Sequence, residues 1–260
     1  MLLIALGSLI GLTLALTGAG GGILAVPALT LGLGWSMTQA SPVALLTVAS
    51  AAAIGMISGL IKGHVRFRAA LLISAVGIAI APFGQHLALQ LPERALTALF
   101  ASVMLIIAVR VFRSDSAAAV TRSKTCMINT RTGRISWTIS SFFKLSAIGL
   151  ISGLTTGLLG VGGGFIVVPA LLRCSNISMN GIVATSLMVI TLIASGAAIT
   201  ALSTGQLILS EPAWLFIGSA AAGMLLGRQF ALKIPERLLQ KTFSILVTCV
   251  ALMLFYRTMY

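Results

Sequence analysis

Two glycine tracts hold the residues best placed for chemistry. Gly18, Gly20, Gly21 and Gly22 form the first, and Gly160, Gly162, Gly163 and Gly164 the second, each embedded in apolar sequence. Glycine lets the backbone leave the helical region without a steric penalty, so a helix broken there turns amide N–H groups toward a common point. A helix that restarts after the break adds its positive dipole end, and together these make an anion site from backbone alone. Close helix packing needs isolated small residues, and three consecutive glycines exceed that need, which favours the anion reading. A phosphate loop is disfavoured, because no strand precedes the tract and no Lys-Ser/Thr pair follows it. The candidate substrate-binding residues are Gly20, Gly21, Gly22, Gly162, Gly163 and Gly164, with the hydroxyls of Thr17, Ser41, Thr185 and Ser186 available to complete the site. A hydroxyl inside a helix more often bonds its own backbone, and that reading stands beside the binding one for each of them.

The elements that position these residues are written twice. Ala5–Leu29 and Ala147–Leu171 share 14 of 25 aligned residues at a spacing of 142 positions, which marks an internal repeat. The halves continue to match beyond the glycines. Ala40–Val43 aligns with Ala184–Leu187, Gly63–Val65 with Gly205–Leu207, and Leu91–Arg94 with Ile234–Arg237. The expected organisation is a first transmembrane repeat over 1–112, a basic linker over 113–141 and a second repeat over 142–260.

Composition settles the class. The 260 residues are 58% hydrophobic and 8% charged, with mean hydropathy +1.10, so too few polar side chains exist to cover a water-soluble surface. Apolar runs fall at about 2–33, 39–61, 69–90, 95–112, 142–172, 180–204, 212–232 and 238–256, at helix-spanning rather than strand-spanning length. The fold class is therefore all-α, a polytopic membrane protein of two homologous halves, each opening with a glycine-broken helix. The N-terminal run has no basic segment before it and has a near-copy in mid-chain, so it is expected to be retained rather than cleaved as a signal peptide.

The net charge of +13, from 17 Lys and Arg against 4 acids, gathers between the apolar runs, as cytoplasmic loops do. The linker is accordingly expected on the cytoplasmic side of the cell inner membrane. Lys62, Arg66 and Arg68 follow the second apolar run and only Arg94 follows the third. In the second half the bias reverses, with Arg228, Lys233, Arg237 and Lys241 around the later turn. Corresponding loops then face opposite sides, the pattern of an inverted repeat; a parallel repeat remains the alternative. The spacings Gly7/Gly11, Gly149/Gly153, Gly55/Gly59 and Gly223/Gly227 read as helix-packing faces.

The shared Gly-x-Gly-Gly-Gly stretch ending in Pro-Ala-Leu (Gly18–Leu29 and Gly160–Leu171), each copy followed by Ala-Ser-Pro or Ala-Thr-Ser, resembles the TauE/SafE family of bacterial membrane permeases. The resemblance covers nearly the whole chain and implies export of sulfite or organosulfonates such as sulfoacetate. Ser41-Pro42 departs from the family's Thr-Ser pattern. The residues alone reach only a secondary transporter of small anions. An intramembrane enzyme is disfavoured, since paired membrane carboxylates, HExxH and GxSxG are absent. A membrane scaffold or assembly protein is the alternative, but it leaves two costly helix breaks unexplained. No Walker motif points to an ATP-driven pump, and Cys126, Cys174 and Cys249 have neither metal nor disulfide spacing. The expected partners are the bilayer and a small anionic substrate, with a homodimer left open; neither nucleic acid, cofactor nor metal is implied.

Overall fold

In the computed structural model, residues 1–18, 21–112, 139–175, 178–207, 210–230 and 236–259 are described. They form helices throughout: α1 (Leu2–Thr17), α2 (Gly22–Gly32), α3 (Met37–Ile61), α4 (Phe67–Gln90), α5 (Glu93–Phe112), α6 (Ile139–Leu159), α7 (Gly164–Cys174), α8 (Met179–Ser203), α9 (Glu211–Phe230) and α10 (Glu236–Met259). Of these, α3, α4, α5, α6 and α8 are long and apolar enough to cross a membrane. Large apolar side chains such as Phe83, Ile106, Phe143, Ile199 and Leu252 stand on the outer surface. Such residues suit contact with acyl chains rather than water.

Local sequence explains where the helices stop and start. Gly18 and Gly160 take the left-handed conformation at φ 70° and φ 72°, and their N–H groups donate to Leu14 O and Thr156 O, ending α1 and α6. Only glycine does this without strain. At the start of α3, Ser36 and Gln39 form a reciprocal capping box, and Glu93 of α5 accepts from the Met37 amide at 3.1 Å. The prolines of the two repeats, Pro27 and Pro169, lie inside the short helices α2 and α7.

The two halves interlock. The helix α1 packs along α9 of the other half, and its counterpart α6 packs along α4; α3 meets α8, and α5 meets α10. These seams are built on small residues. A Cβ at Gly153 would lie 2.3 Å from the Gly77 carbonyl oxygen, one at Gly157 2.0 Å from that of Ala81, and one at Gly11 1.9 Å from that of Ala220. The GxxxG spacings are thus helix-packing faces: Gly7/Gly11, Gly149/Gly153 and Gly223/Gly227 bring backbones together, and Gly55/Gly59 makes room for the side chains of Met224, Leu187 and Ala184.

The register of the repeat differs from the sequence alignment in one place. Both ends of α8 lie 142 positions after both ends of α3, so Ser41 corresponds to Val183 and Ala44 to Ser186. Setting Ala40–Val43 against Ala184–Leu187 shifts this helix by two residues, because the shared alanines are too common in apolar sequence to hold a register. Along their seam α3 and α8 run antiparallel: Gly59 meets Ala184, Gly55 meets Leu187, and Val48 lies beside Ala194 around Gly162.

Candidate functional site

The glycine breaks of the two halves come together between α3 and α8. A Cβ at Gly22 would lie 2.7 Å from the Val161 carbonyl oxygen in the opposite break. It would also lie 3.3 Å from Val48 Cγ1, and a Cβ at Gly162 would lie 3.0 Å from that same methyl, so Val48 of α3 touches both breaks. Its counterpart on α8, Ile190, stands 3.2 Å from the Gly162 position, with Ala194 at 3.9 Å. Val48 and Ile190 are 1% exposed, and the meeting place is closed by their side chains.

The hydroxyl elements divide. Ser186 Oγ, fully buried, lies within donating distance of two carbonyls, Val183 O of its own turn at 2.9 Å and Gly18 O at 3.0 Å, the second across 168 residues of sequence. In the other half Ser41, the counterpart of Val183, packs on Gly160, where a Cβ would fall 2.2 Å from its Oγ, as Val183 packs on Gly18. Each half therefore rests a serine of its long helix on the other half's break. Thr185 points elsewhere: its hydroxyl donates to Gly181 O and accepts from the Arg66 amide at 3.1 Å, tying α8 to the α3–α4 turn. Thr17 donates to Thr13 O within its own helix.

The remaining glycines fold the chain back on itself. A Cβ at Gly21 would meet Leu14 N at 2.4 Å and Ile10 O at 2.6 Å. Gly163, at φ 64°, abuts Ser152, whose Oγ donates to Gly163 O at 3.3 Å. The segments α1–α2 and α6–α7 are thus tight helical hairpins, and Gly164 opens α7 as a buried residue. Gly20 lies outside the described residues. Among the described residues no three of His, Cys, Asp and Glu come together as metal ligands.

The description "Sulfite exporter TauE/SafE" matches residues 3–254. The chain belongs to the TauE/SafE family. Two relatives agree: a "Probable membrane transporter protein" of Xylella fastidiosa strain Temecula1 is 27% identical over 97% of this chain and 93% of its own length. One of the same description from strain 9a5c is 26% identical over the same shares. No solved structure matches the chain. Membership in this family makes the protein a multi-pass membrane transporter, and its two glycine tracts build the paired breaks.

Sequence reasoning missed Val48 and Ile190, because isolated aliphatics in apolar helices carry no motif. It also missed Gln85 and Arg228. Gly84 packs on Leu154 and Gly157, and Gly227 on the corresponding Leu12 and Ala15, so the residues that follow these glycines are counterparts. Aligning α4 with α9 through Gly84 and Gly227 would have paired them.

Proposed function

We propose that the protein is a secondary transporter of small anions, sulfite or organosulfonates such as sulfoacetate, which bind at the paired glycine breaks near mid-membrane. The observation carrying this reading is the contact of Gly22 with Val161 across the two halves, with Val48 against both breaks. An anion entering hydrocarbon must recover the hydration it loses. The amides opening α2 and α7 are the donors at that depth, and glycine permits their approach. A scaffold would have no need to bring two helix breaks face to face.

The same reading places the chain in the cell inner membrane as an inverted repeat. Counterpart helices α3 and α8 run antiparallel, as a two-fold axis in the membrane plane requires. Following the short turns from that seam, Lys62, Arg66, Arg68, Arg110, Lys144, Arg173, Arg228 and Lys241 fall toward one end, while Arg94 and Arg257 fall toward the other. The excess of cations assigns the first end, and the 113–141 linker joined to it, to the cytoplasm. Residues 113–138 of that linker lie outside the described residues.

The test is flux in proteoliposomes across a panel of sulfite, sulfoacetate, sulfate and acetate, with and without a pH gradient. Saturable movement of the sulfur oxyanions above acetate is expected. A folded protein inert toward the whole panel would contradict the reading.

A further inference from the structure

Among the described residues, Arg228 reaches into the helix bundle and meets no carboxylate there. Arg228 of α9, half-buried, donates through Nη1 to Gly55 O at 2.5 Å and to Ile54 O at 3.4 Å. Among the acids, Glu93 caps α3 through the Met37 amide and Glu211 begins α9 at its far end, and the side chains of Asp115 and Glu236 lie outside the described residues. A cation inside a membrane protein is costly to place and commonly marks the path of an ion or substrate.

The repeat separates what this residue does for the fold from what it adds. The counterpart of Arg228 is Gln85 of α4, and the counterpart of Gly55 is Ala197. Gln85 Nε2 donates to Ala197 O at 2.7 Å, so both halves make the same bond from the same position. Thr200 Oγ1 donates back to Gln85 Oε1 at 2.6 Å. An uncharged amide is therefore sufficient to hold a mid-helix carbonyl on the neighbouring long helix. The guanidinium charge is surplus to that task, and it is present in one half only.

Each of the two residues stands at the approach to a glycine break. Gln85 lines a cavity of about 20 Å³, the size of one water, together with Thr38, Ser41, Gly157 and Gln206, and Ser41 rests on Gly160. Arg228 holds Gly55, which packs on Leu187, next to the Ser186 that holds Gly18. Gly55 lies less than two turns from the end of α3, and Ala197 less than two turns from the end of α8. Because α3 and α8 are antiparallel, the charged and uncharged members guard opposite mouths.

We propose that Arg228 is the receiving cation for the anion at one mouth of the pathway, and that Gln85 is its neutral counterpart at the other, which makes affinity unequal between the two faces. This rests on the transport reading above. An incoming oxyanion takes the free guanidinium N–H groups in a charge-assisted pair, then passes to the backbone donors of the breaks. At the opposite mouth the carboxamide offers a weaker, uncharged partner, and the anion leaves readily. With the Arg228 end in the cytoplasm, capture is tight inside and release is easy outside, as an exporter working from low internal concentrations needs. The arrangement changes rates and affinities, not the final equilibrium.

The experiment measures radiolabelled sulfite flux from each face of oriented proteoliposomes for wild type, Arg228→Gln, Arg228→Lys and the transposed pair Arg228→Gln with Gln85→Arg. Arg228→Gln should raise the half-saturating sulfite concentration at the Arg228 face about 10- to 100-fold, the equivalent of one charge-assisted hydrogen bond. The opposite face should change little, Arg228→Lys should restore most of the loss, and the transposed pair should move the tight face to the other side. Equal affinities at both faces in wild type, or no change in Arg228→Gln, would overturn the proposal. A glutamine variant that does not fold would overturn it too, since glutamine already does the structural task at position 85.

A second readout does not depend on which anion is carried. A cysteine at Ser58, one turn beyond Ile54 on α3, is placed in a background lacking the native cysteines. Its reaction rates with sulfonate-bearing and trimethylammonium-bearing thiosulfonates are then compared. The ratio should favour the sulfonate and fall about tenfold in Arg228→Gln. A ratio indifferent to the substitution overturns the proposal even where the transport reading stands. A wild type that carries none of the panel defeats the transport reading alone.

Discussion

Val48 is the side chain on which both breaks converge, and at the proposed site it would set how much room an anion has. Val48→Ala removes two buried methyl carbons and should lower stability by about 1–2.5 kcal/mol, leaving a folded protein. The space it opens should raise flux of bulky organosulfonates relative to sulfite. Val48→Phe, set against two glycines so close that even an added Cβ at either would meet the Val48 methyls at 3.0–3.4 Å, should abolish flux of both. Flux ratios unchanged in the alanine variant would separate Val48 from the pathway. At this scale the sequence is legible where the backbone needs a rare residue pattern: the glycine tracts mark where the helices break. It is illegible where the work falls to common residues. Ser186 reaches the Val183 carbonyl of its own turn, as any helical serine can, and whether it also reaches another half's carbonyl, as it does Gly18 O, depends on a contact 168 residues away.

Among elements, the hairpins and seams follow from glycine used in two distinct ways. Gly18 and Gly160 end helices through positive φ, whereas Gly7, Gly11, Gly149, Gly153 and Gly157 lie inside helices and serve only as absences of side chain. Gly153→Leu should therefore prevent folding, because its Cβ would sit 2.3 Å from a backbone oxygen that cannot move alone. Gly205→Ala, at φ 71° with nothing within 4 Å, should cost only the backbone strain of about 1–2 kcal/mol. Thermal melts of the purified variants measure the contrast. Equal behaviour would mean the α4–α6 seam is looser than described. The packing role of the GxxxG spacings was readable from periodicity alone. Which helix each would meet was not, since α1 crosses to α9 and α6 to α4, partners set by the assembly of two halves.

For the whole molecule, the duplication and its helical class were legible from end to end, because a 25-residue repeat and recurring apolar runs leave little freedom. The register within α3 and α8 was not, as alanine-rich stretches align equally well two residues apart. The antiparallel seam and the charge distribution make a topological prediction: cysteines introduced at Lys62 and at Lys241 should be labelled from the cytoplasmic face, and one at Arg94 from the opposite face. Labelling at Lys62 and Lys241 from different faces would favour a parallel repeat.

The central claim, that an anion binds where the two glycine breaks meet, is tested most directly by protection of Val48→Cys in a protein without native cysteines. During transport this thiol should react with a small sulfonate-bearing thiosulfonate. Sulfite or sulfoacetate should slow the reaction saturably, with a midpoint matching its half-saturating concentration for flux. A protein that still carries these anions while the cysteine stays unreactive, or reacts at a rate no anion alters, would contradict the account.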